Sequence, residues 1–128
     1  MPIQSTIHRK NSYVQTTCTG AITLSEVLEY QQDIWANGNI PGFSEIFDAL
    51  QADFSAFSMS DIFKACQHSI QIDKSTTSSR LAFVLSTEAQ QQMADFYRSV
   101  REMNTSNSRV VQLFDTLDDA FNWIHETH

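Results

Sequence analysis

The sequence predicts an α/β fold with a mostly parallel sheet, an N-terminal hairpin and four helices. Three observations carry that reading. Residues 81–85, Leu-Ala-Phe-Val-Leu, are an unbroken apolar run of strand length, as a strand covered on both faces requires. Strand-like and helix-like segments alternate after residue 20, the order that crossover helices between parallel strands produce. The helical segments also open on Ser or Thr, whose side chains accept hydrogen bonds from the free N–H groups of a first turn.

Residues 3–19 read as two strands around a Lys10-Asn11-Ser12 turn, with the β-branched and aromatic content that strands favour. Gly20 ends the second strand. A first helix over residues 23–36 has Thr23 as cap and Glu26 three positions later, a capping-box pattern. Leu24, Val27, Leu28, Ile34 and Trp35 form its apolar stripe. Asn37-Gly38-Asn39 stops it, because both residue types tolerate left-handed backbone. Residues 43–48 are the next strand, with Ile46 and Phe47 at its heart, followed by a loop through residue 57.

The second helix opens at Ser58 with Asp61 in the box position, and Met59, Ile62, Phe63, Cys66 and Ile70 share one face. The Ser/Thr-rich stretch 75–79 is a solvent loop, too short to separate domains. Residues 80–85 are the central strand. Ser86 and Thr87 start a third helix with Ala89, Met93, Phe96, Tyr97 and Val100 on its buried side. A loop over 104–108 leads to the last strand, residues 110–114. Thr116 then caps a final helix bearing Leu117, Ala120, Phe121 and Ile124. The whole chain, residues 1–128, is read as one domain, long enough to bury its own core.

Composition narrows the function. A net charge of −7 repels phosphate backbones and anionic lipid head groups, so nucleic acid is not expected as a partner. The basic pairs Arg9-Lys10 and Arg98 with Arg101 are too sparse to change that. No apolar run approaches the roughly 18–20 residues of a membrane helix, and the N-terminus lacks the charged-then-apolar order of a signal peptide. A cytoplasmic protein with no transmembrane segment is the expectation. Cys18 and Cys66 each sit in an apolar-periodic segment and read as small buried hydrophobes.

Gly20-Ala21-Ile22-Thr23-Leu24 after the hairpin, Ile46-Phe47-Asp48, Arg80-Leu81-Ala82-Phe83-Val84, and Phe114-Asp115 leading to Asp118-Asp119-Ala120-Phe121-Asn122-Trp123-Ile124 occur in a suggestive order. Together they resemble the SpoIIAA-like, STAS-type family of bacterial modules, over almost the whole chain. The resemblance implies a compact βα superhelix in a bacterial protein. Anti-sigma-factor antagonists of that family carry Asp-Ser-Ser-Gly or Asp-Ser-Thr-Gly at the start of a helix, where a kinase phosphorylates a hydroxyl. Here Phe57-Ser58-Met59-Ser60-Asp61 stands instead, without the preceding Asp or the following Gly. The likeness is therefore to the uncharacterised single-domain members.

Five residues are candidate ligand or partner contacts. Asp48 ends a strand, where open α/β sheets place ligands, although Asp also commonly satisfies backbone N–H groups of a following loop. Phe54 and Phe57 lie in a polar loop and offer apolar surface to a partner or ligand. Ser58 and Ser60 sit where a phosphate would meet a helix N-terminus, while the capping box accounts for Ser58 and Asp61 without one.

No catalytic residue, metal site or cofactor is expected. His125-x-x-His128 has a metal-compatible spacing but lies at the C-terminal end without a third ligand, and Cys66 and His68 point to different sides of a helix. Three glycines supply no phosphate-binding loop. Function is expected to be non-enzymatic: a regulatory or protein-binding module, or, alternatively, a carrier of a small molecule or lipid in an apolar pocket beneath residues 54–57. The exposed edge of the hairpin also suggests a homodimer.

Overall fold

The computed structural model describes residues 2–73, 78–104 and 107–126. Most of the solvent loop expected over 75–79, part of the 104–108 loop, and His128 lie outside them.

Five strands form one sheet: β1 (Ile3–His8), β2 (Tyr13–Ala21), β3 (Ser44–Asp53), β4 (Ser79–Val84) and β5 (Arg109–Phe114). Their spatial order follows the chain, with β1 antiparallel to β2 and the remaining pairs parallel. Between them run α1 (Leu24–Tyr30), which continues as a π-helical turn (Gln31–Ala36), then α2 (Met59–Ile72) and α3 (Glu88–Glu102); α4 (Leu117–Ile124) closes the chain. A parallel sheet that grows in one direction through same-handed crossovers carries all of them on one face. Accordingly α1, α2 and α3 cover one face, over a core of Cys18, Ile22, Val27, Phe47, Leu81 and Val111. After β5 the chain folds back, and α4 covers Ile46, Ala82 and Val84 on the other face with Ala120.

The predicted central strand is interior, between β3 and β5, and Leu81, Ala82, Val84 and Leu85 are buried while Phe83 is half-buried. Toward β1 the second face carries Gln4, Thr6, Gln15 and Thr17 rather than leftover apolar side chains. β1 is an open edge, as the hairpin suggested.

Two expectations about this frame are corrected. β3 does not end at Asp48 but runs to Asp53. Between Thr17/Asp48 and Thr19/Gln51, β3 uses three residue steps where β2 uses two, which is a β-bulge. The bulge frees the Leu50 N–H, and Asp48 Oδ1 accepts it at 3.0 Å. Beyond Asp48, β3 has lost its partner β4, and Gln90 Nε2 on α3 donates to the carbonyls of Ala49 and Ala52 instead, at 3.0 and 2.9 Å. A side-chain amide thus substitutes for a strand, which no local pattern around residue 49 announces.

The second correction concerns helix faces. Met59 and Phe63 on α2, Ala89 on α3, and Leu117 and Phe121 on α4 are exposed, against the expected stripes. The buried positions are Ile62, Ala65 and Cys66 on α2, and Gln90, Ala94 and Arg101 on α3. Ala65 and Ala94 are small enough to let the two packed helices lie close over the sheet. Gln90 and Arg101 are admitted to the interior because their polar atoms are bonded there.

The expected caps form. Thr23 and Ser58 each accept from the N–H three residues on, and Glu26 and Asp61 return the bond. Ser58→Ala is expected to cost about 1 kcal/mol, the usual loss of an N-cap hydrogen bond. A urea melt checks it, and an unchanged midpoint would show that the cap adds nothing.

Candidate functional site

The residues expected to form a site at the carboxyl ends of the strands take mostly structural roles. A ligand crevice arises there where strand order reverses and helices leave opposite faces, and in this sheet the order never reverses. Asp48 serves the bulge. Ser58 caps α2 and Ser60 is exposed one residue inside it. Phe54 and Phe57 are half-buried, meet edge to face at 5.3 Å, and wall a small apolar chamber of about 100 Å³ together with Phe47, Ile62, Leu85 and Met93.

The larger cavity opens at the other end. About 360 Å³ lies between the π-helical turn, the connection 39–43, the last turns of α2 and α3, and the amino-terminal halves of β3, β4 and β5. Tyr30, Gln31, Glu45, Leu81 and Tyr97 border both spaces. Its mouth is fixed by the way α1 ends. Asn37 N–H bonds to the carbonyl of Gln32, five residues back. A π turn brings residues five apart into line, and turns of this kind recur at functional sites. Here it brings Trp35 Nε1 within 3.0 Å of the Tyr30 hydroxyl. Gly38 is required just beyond, because a Cβ there would stand 2.1 Å from the Ile34 carbonyl oxygen. Arg9, from the hairpin turn, donates to the carbonyls of Gly38 and Asn39 and ties the mouth to the sheet.

Inside, buried polar groups form two linked clusters. Glu45 on β3 is 3% exposed. Its Oε2 accepts from Thr16 Oγ1 at 2.6 Å and from the Tyr30 hydroxyl, and Thr16 is itself bonded to Ser5 on the edge strand. Arg109 at the start of β5 lays its guanidinium over the Trp35 ring, 4.5 Å from the centroid. Its Nη1 donates to the Phe43 carbonyl and to Ser79 Oγ, while Nη2 stands 3.8 Å from Glu45 Oε1, an ion-pair rather than a hydrogen-bond distance. The second cluster is centred on Arg101, 1% exposed, which bonds Ser69, Asp73 and Asn107 through three different nitrogens. Ser69 passes the network to the Tyr97 hydroxyl at 2.7 Å.

Burial pushes the Glu45 carboxyl above its ordinary value, against the pull of Arg109 and of the Thr16, Tyr30 and Trp35 hydrogen bonds. Burial also raises Tyr30, and the neighbouring Glu45 raises it further. Cys18 lies nearby, raised by burial and then by Glu45 and Asp48, and Cys66 is pushed up to about 11 by burial. Both thiols are free and buried, as expected of small core hydrophobes.

Sequence reasoning missed Tyr30, Glu45, Arg101 and Arg109. In the sequence Arg101 stands only as half of a basic pair with Arg98; Arg98 is the more exposed of the two and bonds Asp95, while Arg101 is buried on Asp73. A signal existed in Glu45: with Phe47 and Ala49 it falls on the alternate positions that face the core, where a carboxylate needs partners. Of the histidines, His8 stacks on Tyr13, His125 packs against Tyr13 and Phe121, and His68 Nδ1 bonds Gln31 Oε1. Among the described residues no helix is long and apolar enough to cross a membrane.

No protein-family model and no curated protein matches this chain. Among solved structures it is similar to an uncharacterised protein of the DUF3478 family, with a SpoIIAA-like fold, from Shewanella loihica PV-4. The likeness covers 95% of this chain and 93% of the other at 19% identity, with a TM-score of 0.58. At that identity the likeness speaks for architecture alone. The resemblance carried by the residue 20–24, 46–48, 80–84 and 114–124 segments therefore holds at the level of the backbone: this chain has a SpoIIAA-like fold.

Proposed function

We propose that this protein is a non-enzymatic binding protein that holds a small molecule between its sheet and helices α1–α3. Of the two functions expected from sequence, this is closer to the carrier than to the protein-binding module. One observation carries the choice: a cavity of about 360 Å³ with aromatic walls and a few buried polar groups, bordering an apolar chamber. Small-molecule sites have that composition and begin at roughly 300 Å³. The larger space lies at the amino ends of the strands rather than beneath residues 54–57, and Phe54 and Phe57 wall the smaller, apolar one.

The non-enzymatic part of the reading rests on how the ionisable groups are held. Glu45, Tyr30, Tyr97 and Arg101 are each bonded to another protein group, which suits fixed recognition better than proton transfer. Native mass spectrometry of protein purified from its own cells tests the proposal. A non-covalent adduct of one defined mass is expected, lost when Ala94 in the chamber wall is replaced by Phe. The bare chain mass alone from gently purified material would count against it.

A further inference from the structure

Of the two arginines in the cavity wall, Arg109 keeps more of its N–H donors unspent among the described residues. Arg101 spends Nε, Nη1 and Nη2 on Asn107, Ser69 and Asp73 and is a structural cation. Arg109 differs. Only Nη1 is hydrogen-bonded among the described residues; Nη2 faces Glu45 Oε1 at 3.8 Å. Trp35 fixes the plane of the guanidinium from one side, so its remaining donors are pre-oriented rather than mobile. Glu45 directs Oε2 to Thr16 and Tyr30 and leaves Oε1 beside Arg109. A fixed guanidinium fork next to a carboxyl oxygen, in an aromatic cavity, matches the geometry of an acid's head group.

Resting on the small-molecule reading above, we propose that the ligand is an amphipathic monocarboxylate, its head group held by Arg109 beside Glu45 and its apolar body directed toward Phe47 and Tyr97. Charge balance selects one negative charge. Arg101 and Asp73 cancel, which leaves Arg109 and Glu45. At a pH where Glu45 is ionised in the empty site it cancels Arg109. When Glu45 takes up one proton from solvent as the ligand enters, Arg109 is the one uncompensated charge, and the Glu45 O–H donates to the incoming carboxylate. One O–H bond forms, with the proton taken from solvent and kept on the Glu45–ligand pair, and no other covalent bond changes.

A dianion such as a phosphate monoester would exceed that balance. It would also face the carboxyl ends of α2 and α3 at the cavity rim, whose partial negative charge Arg101 offsets for α3. The groups around Glu45 are Thr16 and Cys18 from β2, Tyr30 and Trp35 from α1 and its π turn, Asp73 from the end of α2, Tyr97 and Arg101 from α3, and Arg109 from β5. A guanidinium has no further proton to accept, so the proton goes to Glu45, whose neutral form burial already favours. A cavity of about 150 Å³ holds benzene; one of about 360 Å³ accommodates a ring with a short acid chain.

The test uses the full chain and three matched probes: phenylbutyrate, phenylbutyramide and phenylbutylamine, titrated calorimetrically. Phenylbutyrate is expected to bind at least tenfold tighter than the amide, with about one proton taken up when buffers of different ionisation heat are compared. Arg109→Gln should abolish the preference for the acid. Glu45→Gln should keep most of the preference and lose the proton uptake, which holds the test open if Arg109→Gln does not fold. Equal binding of the three probes would overturn the monocarboxylate while leaving a small-molecule function standing, as would tightest binding of the amine. Failure of every probe at millimolar concentration, together with the bare mass in native spectrometry, would overturn both.

Discussion

Replacing Arg101 by alanine is expected to lower the unfolding free energy by about 3–5 kcal/mol, the usual cost of removing one partner from a buried ion pair. Arg101 closes three segments on one point: the end of α2 through Ser69 and Asp73, α3 on which it sits, and the approach to β5 through Asn107. Asn107 in turn bonds both the N–H and the carbonyl of Arg109, so the loss reaches the cavity. The guanidinium is 2% exposed and the Asp73 carboxylate 19%, so solvent screens the pair little. The double variant Arg101→Met/Asp73→Asn should recover part of the loss, because removing both charges strands neither. Urea melts of the three proteins decide it. A single-variant loss below about 1 kcal/mol, the range of exposed pairs, would show that Arg101 is not the tie described.

The backbone of this protein was largely legible and the site was not, for a physical reason. Strand and helix periodicities are local. The run Leu-Ala-Phe-Val-Leu, the Thr23–Glu26 and Ser58–Asp61 boxes, and the hairpin turn each appear within a few residues, and each is where the sequence places it. The cavity depends on things that are not local. A π turn differs from an α turn by one residue and leaves no mark in a 3.6-residue pattern, yet it aligns Tyr30 with Trp35. Glu45 and Arg109 are 64 positions apart and meet only because β3, β4 and β5 lie side by side. Gln90 and Arg101 carry no local mark of burial; the strand edge and the Asp73 carboxylate that they serve lie on other elements. Asp48 has two readings in the sequence, a ligand contact at a strand end and an acceptor for nearby backbone N–H groups, and the Leu50 N–H that it accepts at the bulge agrees with the second.

Glu45 should give the protein an unusual pH signature. A carboxyl whose native pKa is raised holds a proton in the folded chain over a range where the unfolded chain has released it. In that range the native state binds more protons, so stability falls as pH rises. The window runs from the ordinary value of 4.5 upward to the raised native value; below it the contribution is fully present, above it fully lost. Other carboxylates act in the opposite sense where folding lowers them, as the Ser55 hydrogen bonds do for the exposed Asp53, so the absolute curve mixes both. The difference between wild type and Glu45→Gln isolates the one residue. Gln cannot titrate, and wild type should lose ground against it steadily as pH rises through the window, then run parallel. Glu45→Ala should be worse than either at every pH, by about 3–5 kcal/mol in the ionised limit. It removes the acceptor of Thr16 and Tyr30 and leaves the Arg109 guanidinium buried with no counter-charge. Chemical denaturation from pH 4 to pH 9 reads all three. A wild-type curve parallel to that of Glu45→Gln across the whole range would mean that Glu45 ionises in the fold as it does in water, with Arg109 and the hydrogen bonds balancing burial.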